Sequence, residues 1–181
     1  MKTALLALVV LAASASLGSC NVLETAMGAP ELSTLVSAIE AAGLTEVVGN
    51  LTTGTVLAPT NDAFDAALTV LENLGVTVSS LADIPTDALR EALAYHILVD
   101  FYNSTEIAAI APTELDTLLS TLVVNATALT VGVTPDGVVQ FIPSSGYSVA
   151  NVTTADVAVA GESNVTVHII NNVLFPTEAL M

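Results

Sequence analysis

The chain is short of cations. Its 181 residues carry two basic side chains, Lys2 and Arg90, against eighteen acidic ones, for a formal charge of −16. Such a field repels phosphate backbones and anionic headgroups, which excludes nucleic-acid binding and electrostatic docking on acidic lipid. Trp is absent and Cys occurs once, at Cys20. The rest of the chain therefore has no internal disulfide and depends on burial for its stability. Ten Gly and seven Pro are too few for a fibrous chain. Charged residues make up 11% against 53% hydrophobic, which is too apolar for disorder. No repeat and no Pro/Gly linker divides the sequence, so one globular domain is expected.

What is present begins with an address. Lys2 precedes an apolar run from Ala4 to Ala13, and small residues Ser14-Ala15-Ser16 follow. Charged start, short apolar stretch and small-residue exit is the order of a secretory signal. Residues 1-20 are assigned to it, with cleavage after Ala15, Gly18 or Cys20, and residues 21-30 to a short extension. A core helix is the alternative, but no polar face or cap organises the run. Leu17-Gly18-Ser19-Cys20 also resembles a lipoprotein box, so a bacterial lipoprotein anchored through Cys20 is the second localisation.

Five Asn-x-Ser/Thr triplets begin at Asn50, Asn103, Asn125, Asn151 and Asn164. Chance supplies about two in a chain of this composition. With the signal segment they point to a secreted glycoprotein of the cell wall or matrix. No second membrane segment is expected. The uncharged stretch Thr117 to Pro135 is interrupted by Thr, Ser and Asn and reads as two strands and a turn. The C-terminal residues lack the spacer and apolar tail of a GPI anchor, so the protein is expected to be released.

The hydrophobic pattern changes character near residue 112. Before it, apolar residues recur at helical spacing. Leu32, Leu35, Val36 and Ile39 form one stripe, ended by Gly43. Phe64, Leu68 and Leu71 form another, starting from an Asn61 or Asp62 cap. Leu89, Leu93 and Ile97 form a third behind Pro85. A short strand, Thr55 to Ala58, sits between the first two. After residue 112, β-branched runs alternate with turns such as Pro135-Asp136-Gly137. The runs are Val123-Val124, Leu129 to Val131, Val138 to Phe141, Tyr147 to Val152, Asp156 to Val159 and Thr166 to Ile170. Helices first and strands second predict an α+β fold, with N-terminal helices packed on an antiparallel sheet or sandwich formed mainly by the C-terminal half.

Candidate chemistry is sparse. His96 and His168 are each a possible base, with Asp62, Asp65 or Asp156 as orienters. There is no G-x-S-x-G elbow, no H-E-x-x-H, no EF-hand loop, no Gly-rich phosphate loop and no reactive Cys beyond the signal. Two isolated histidines on apolar elements read as hydrogen-bonded core residues. No enzyme, no metal and no cofactor is expected.

Three segments are specific. Thr55-Val56-Leu57-Ala58-Pro59-Thr60-Asn61-Asp62-Ala63-Phe64 resembles the first signature of fasciclin domains, Tyr95-His96 the Tyr-His motif, and Val167 to Pro176 the second signature. They occur in the family's order, and the resemblance covers a single fasciclin-like domain over 31-178. It implies an extracellular adhesion or matrix module that binds protein or glycan partners. By carry-over, its partner-binding surface includes Thr60, Asn61, Phe64, Tyr95, His96, His168 and Asn171. Some fasciclin-type proteins of photosynthetic organisms bind carotenoids, so a carrier of an apolar small molecule is the alternative. Leu57, Phe64, Leu68, Tyr95 and Ile97 would line its groove. The motif residues also have plain structural roles. Thr60 or Asn61 can cap a helix, Phe64 can anchor it, and Pro176 can end a ladder. Two positions depart from the family. Asn164-Val165 replaces the usual Asn-Gly turn, so either the turn is of another type or Asn164 alone is left-handed. Asn171-Asn172 replaces Asp-Lys, which removes the Asp linked to integrin binding in animal members. Charge adds one expectation: self-association requires low pH or calcium.

Overall fold

The computed structural model describes residues 22–73, 75, 78, 80–122, 128–146, 148–159 and 164–176. Among the described residues, four α-helices come first around one strand: α1 (Val22–Met27), α2 (Ser33–Ala41), α3 (Thr45–Gly49), β1 (Thr53–Pro59) and α4 (Asn61–Asn73). Next come α5 (Thr86–Tyr95), β2 (Ile97–Leu98), α6 (Ser104–Ile110), β3 (Thr113–Leu115) and α7 (Leu118–Leu122). Four strands follow: β4 (Leu129–Val133), β5 (Val139–Pro143), β6 (Ala150–Ala158) and β7 (Asn164–Ile170). The architecture is α+β, as the change of periodicity predicts.

The seven strands form one sheet in the order β2-β1-β7-β6-β5-β4-β3. Every pairing is antiparallel except β1 with β7, which run parallel from Thr53 opposite Asn164 to Pro59 opposite Ile170. The sheet is thus mixed, and the lone strand of the helical half lies inside it. Six of the seven residues in both β1 and β7 are buried. Continuous burial is what a parallel pair covered on both faces requires. The strip bends until its edges meet: Leu98 bridges Thr117, and the Val99 N–H donates to the Asp116 carbonyl at 3.1 Å. The result approaches a closed barrel, which removes the exposed edges of an open sheet.

Successive strand residues face opposite ways, so two cores form. Val56, Ala58, Val165, Val167 and Ile169 face the helices and pack with Leu35, Ile39, Phe64, Leu89 and Leu93. Leu57 and Ile170 face the other way and join Tyr95, Leu98, Leu129, Val131 and Phe141. Val22, Leu23 and Ala26 of α1 are buried in the helical core, although α1 lies in the stretch expected to be an extension.

Gly43, at φ +67, ends α2 as anticipated. Leu44 N–H returns to the Ile39 carbonyl and Gly43 N–H to that of Glu40, a paired C-terminal closure. Other local readings change. Ile97 belongs to β2, because α5 stops at Tyr95. Thr117 to Pro135 holds a short helix and one strand; the Val123-Val124 run and Asn125 lie outside the described residues. Tyr147 lies outside the described residues; Ala150 to Val152 and Asp156 to Ala158, expected in separate runs, belong to one strand, β6, with irregular register between Val152 and Val157. Asn164 is the first residue of β7, and Asp156 is the one non-glycine residue with positive φ among those described. The left-handed alternative for Asn164 is therefore not adopted. The ladder ends at Ile170, so Pro176 does not end it.

Candidate functional site

The first signature segment joins β1 to α4. Thr60 Oγ1 accepts from the Ala63 N–H at 3.3 Å and so caps α4. Asn61 reaches across instead. Its Oδ1 accepts the Thr34 N–H at 2.9 Å, and its Nδ2 donates to the Pro30 carbonyl at 3.0 Å. It therefore ties α2 to α4. Phe64 follows, buried in the helical core.

Tyr95 and His96 end α5 and diverge. Tyr95 turns into the second core, where its hydroxyl donates to the Ala128 carbonyl at 3.1 Å. His96 faces the helices and holds the last segment of the chain: Leu174 N–H donates to its Nε2 at 2.9 Å. Nε2 is then the acceptor, so Nδ1 carries the proton and donates to the Ala92 carbonyl at 2.7 Å. Burial holds the His96 pKa down to about 4, against the pull of the Ala92 carbonyl toward the charged form. The imidazole is neutral at pH 7.

His168 lies on β7, beside Leu57 and on the face away from the helices. Its Nδ1 accepts the Asp156 N–H at 3.1 Å, and its Nε2 donates to the Tyr102 carbonyl at 3.0 Å. Burial lowers its pKa, while the Tyr102 carbonyl and the Asp156 carboxylate work against that shift. The Asp156 carboxylate is spent elsewhere, on the Ser104 N–H at 2.8 Å and the Ser104 hydroxyl, at the N-terminus of α6. Burial pushes its pKa up, but the bonds from Ser104 outweigh this and the net shift is downward. Ser, His and Asp thus meet without forming a nucleophilic triad. The hydroxyl bonds the carboxylate rather than the imidazole, so the Ser–His contact of such a triad is absent. Asp62 and Asp65 are exposed on α4.

Thr55 completes this network. Its Oγ1 accepts the Tyr102 N–H at 2.8 Å and donates to the Asp100 carbonyl at 3.0 Å. The network fastens the loop before α6 to the sheet. Its members Thr55, Tyr102 and Ser104 were not candidates. Their partners sit 45 to 66 positions away along the chain, beyond the reach of local pattern. Asn171 stitches the start of β6: its N–H donates to the Asn151 carbonyl at 3.1 Å, and its Oδ1 accepts the Asn151 N–H at 2.8 Å. Asn172 adds a bond from Nδ2 to the Val149 carbonyl at 3.1 Å.

Of the sequence candidates, the fold brings Phe64 and His96 together. Both line an apolar groove of about 300 Å³ between α4, α5 and the segment Val173–Phe175. Leu68 also lines it; Leu57, Tyr95 and Ile97 do not, and the residues added are Leu71, Val78, Leu89, Leu93 and Phe175 among others. Among the described residues, no three His, Cys, Asp or Glu side chains cluster to hold a metal ion, and no helix is long and apolar enough to cross a membrane.

A family model described as the fasciclin domain matches residues 30–176. No curated protein matches the chain. Among solved structures, a FAS1 domain pair from the insect cell adhesion molecule fasciclin I is similar, at 26% identity and a TM-score of 0.58. The similarity covers 80% of this chain and 45% of that one, so the chain spans less than half of that relative's length.

Proposed function

The chain belongs to the fasciclin-domain family, and from that premise we propose that it is a secreted, glycosylated, non-catalytic adhesion or matrix module that binds protein or glycan partners outside the cell. The observation that carries this reading is the family match over nearly all of the described chain. The insect relative is itself a cell adhesion molecule. The site chemistry is compatible: both imidazoles are locked between backbone groups, and neither bonds the Ser104 hydroxyl.

Charge conditions the binding. Two bodies that have each lost Lys2 with the signal segment keep one cation, Arg90, against eighteen acids, a charge of −17; they repel, and the repulsion is screened only beyond about 8 Å at physiological salt. Beads coated with the secreted protein are expected to stay dispersed at pH 7 in low salt and to cluster with calcium or at pH 5. Clustering that ignores salt, calcium and pH would contradict the charge argument.

The groove favours a second reading, a carrier of an apolar ligand such as a carotenoid. Its volume of about 300 Å³ lies at the small end of ligand pockets, so a long polyene would fit only in part. Protein purified from its native source would then show a visible absorption band. A colourless preparation would remove this reading.

A further inference from the structure

The groove between α4 and α5 offers a ligand no free side-chain hydrogen bond. Among the described residues His96 is its one polar lining side chain, and both ring nitrogens are committed, Nδ1 to the Ala92 carbonyl and Nε2 to the Leu174 N–H. The other lining side chains are Phe, Leu, Val, Ile, Ala and Pro. A hydroxyl or carboxylate carried inside would lose its water and find no side-chain partner. What enters must therefore be hydrocarbon. Along α4 the lining runs from Phe64 to Leu71, about 10 Å of helix. With a volume of about 300 Å³, the groove suits one medium-length alkyl chain better than a long polyene.

The rim decides what the other end of such a molecule can carry. Leu68 lines the groove, and Asp65 and Glu72 stand one turn before and after it on the same helix, both exposed. Asp83, also exposed, lies between the lining residues Leu81 and Ile84. No Lys or Arg answers them. Among the described residues the one such cation is Arg90, and it is engaged at the end of α2 and on its own helix. Its Nε donates to the Ala42 carbonyl at 3.2 Å, and its guanidinium pairs with Asp87 at 3.4 Å. A head group at the mouth thus meets acids nearby and a net charge of −17 behind them. A carboxylate is repelled there and an ammonium attracted.

We propose that the groove binds the tail of a single-chain cationic amphiphile, an alkylammonium of about decyl length, and discriminates against fatty-acid carboxylates of the same chain. The proposal rests on the carrier reading above in taking the groove as a ligand site, and differs in the occupant, which is not a polyene. The tail is buried among Phe64, Leu68, Leu71, Leu89 and Phe175, and the ammonium stays in water beside Asp65 and Glu72. A surface this acidic also attracts cations at many other places. The signature is therefore one saturable site that disappears when the groove is filled.

Calorimetric titration of the secreted chain with decylammonium, decanol and decanoate, each below its micelle concentration, tests this. One saturable site per chain is expected for decylammonium and decanol, with decylammonium about tenfold tighter than decanoate at low salt. In about 1 M salt, where the Debye length is about 3 Å, that ratio should fall while decanol binding holds. Ala88 is half-buried and lines the groove from α5, so Ala88→Trp should fill it and abolish the site for all three probes. Asp65→Asn/Glu72→Gln alters only exposed side chains. It should keep the fold and decanol binding, and lower the preference for ammonium about threefold. Decanoate that binds as tightly as decylammonium, or a preference unchanged by both high salt and the double substitution, overturns the proposal and leaves the carrier reading standing. Decylammonium spread over many weak sites indifferent to Ala88→Trp overturns it as well. If decanol does not bind, the groove is not a ligand site, and the carrier reading and the proposal fall together.

Discussion

Unfolding titrations between pH 7 and pH 4 are expected to show a loss of about 3 kcal/mol, because the fold holds His96 neutral. In the unfolded chain its imidazole titrates near 6.5; in the fold its pKa lies at about 4. Between those values the unfolded state binds more protons, so stability rises with pH across the window. It is fully present above 6.5 and is lost as pH falls toward 4. Each unit is worth about 1.4 kcal/mol, which gives about 2 kcal/mol at pH 5 and about 3 at pH 4. His168 is shifted the same way by burial and adds to the slope. Asp156, shifted down, loses its contribution only at lower pH. The double variant His96→Gln/His168→Gln should show little slope between pH 6.5 and 5, whatever its own stability. A wild-type chain equally stable at pH 7 and pH 5 would contradict the buried neutral imidazole. The physical consequence is a division of effects in acid. Protonated carboxylates ease repulsion between molecules, while the neutral His96 clasp on Leu174 is weakened.

The second large effect is at Gly54. Its φ is +137, and a Cβ added there would lie 2.7 Å from the Leu98 carbonyl oxygen. The close approach arises because the chain after β2 returns to bond Thr55 through Asp100 and Tyr102. Gly54→Ala therefore meets a backbone strain and a steric clash together, about 4 kcal/mol in sum. That is a large share of a domain's margin of stability. Gly137→Ala is the control. Gly137 has φ +83 with no atom within 4 Å of an added Cβ, so only strain applies, at about 1 kcal/mol. Chemical denaturation of the two variants checks both values, and equal losses would contradict the contact with Leu98.

Much of the fold was legible because its signals are local. The stripes at Leu35 and Ile39, Phe64 and Leu71, and Leu89 and Leu93 each bury on one face, and Gly43 marks a helix end that physics favours. The parallel pair was less legible. The unbroken apolar run Val56-Leu57-Ala58 signals a strand covered on both faces, but periodicity does not name its partner, β7, which lies over a hundred residues away. At the site, the signature residues were found, yet their roles depend on contacts between distant segments. Asn61 holds α2, His96 holds Leu174, and Asn171 holds Asn151. The left-handed Asp156 had no signal beyond the tolerance of Asp for that conformation. It is this residue that ties α6 to β7, its carboxylate bonding Ser104 and its N–H bonding His168.

The central claim is adhesion, and the most direct measurement is attachment of cells from the native source to glass coated with the secreted, glycosylated protein at increasing density. The expected result is attachment that rises and saturates with coating density at pH 7, and that is lost on glass coated with Gly54→Ala protein shown to be unfolded. Attachment no greater than on uncoated glass at every density, with the fold intact, would contradict the account.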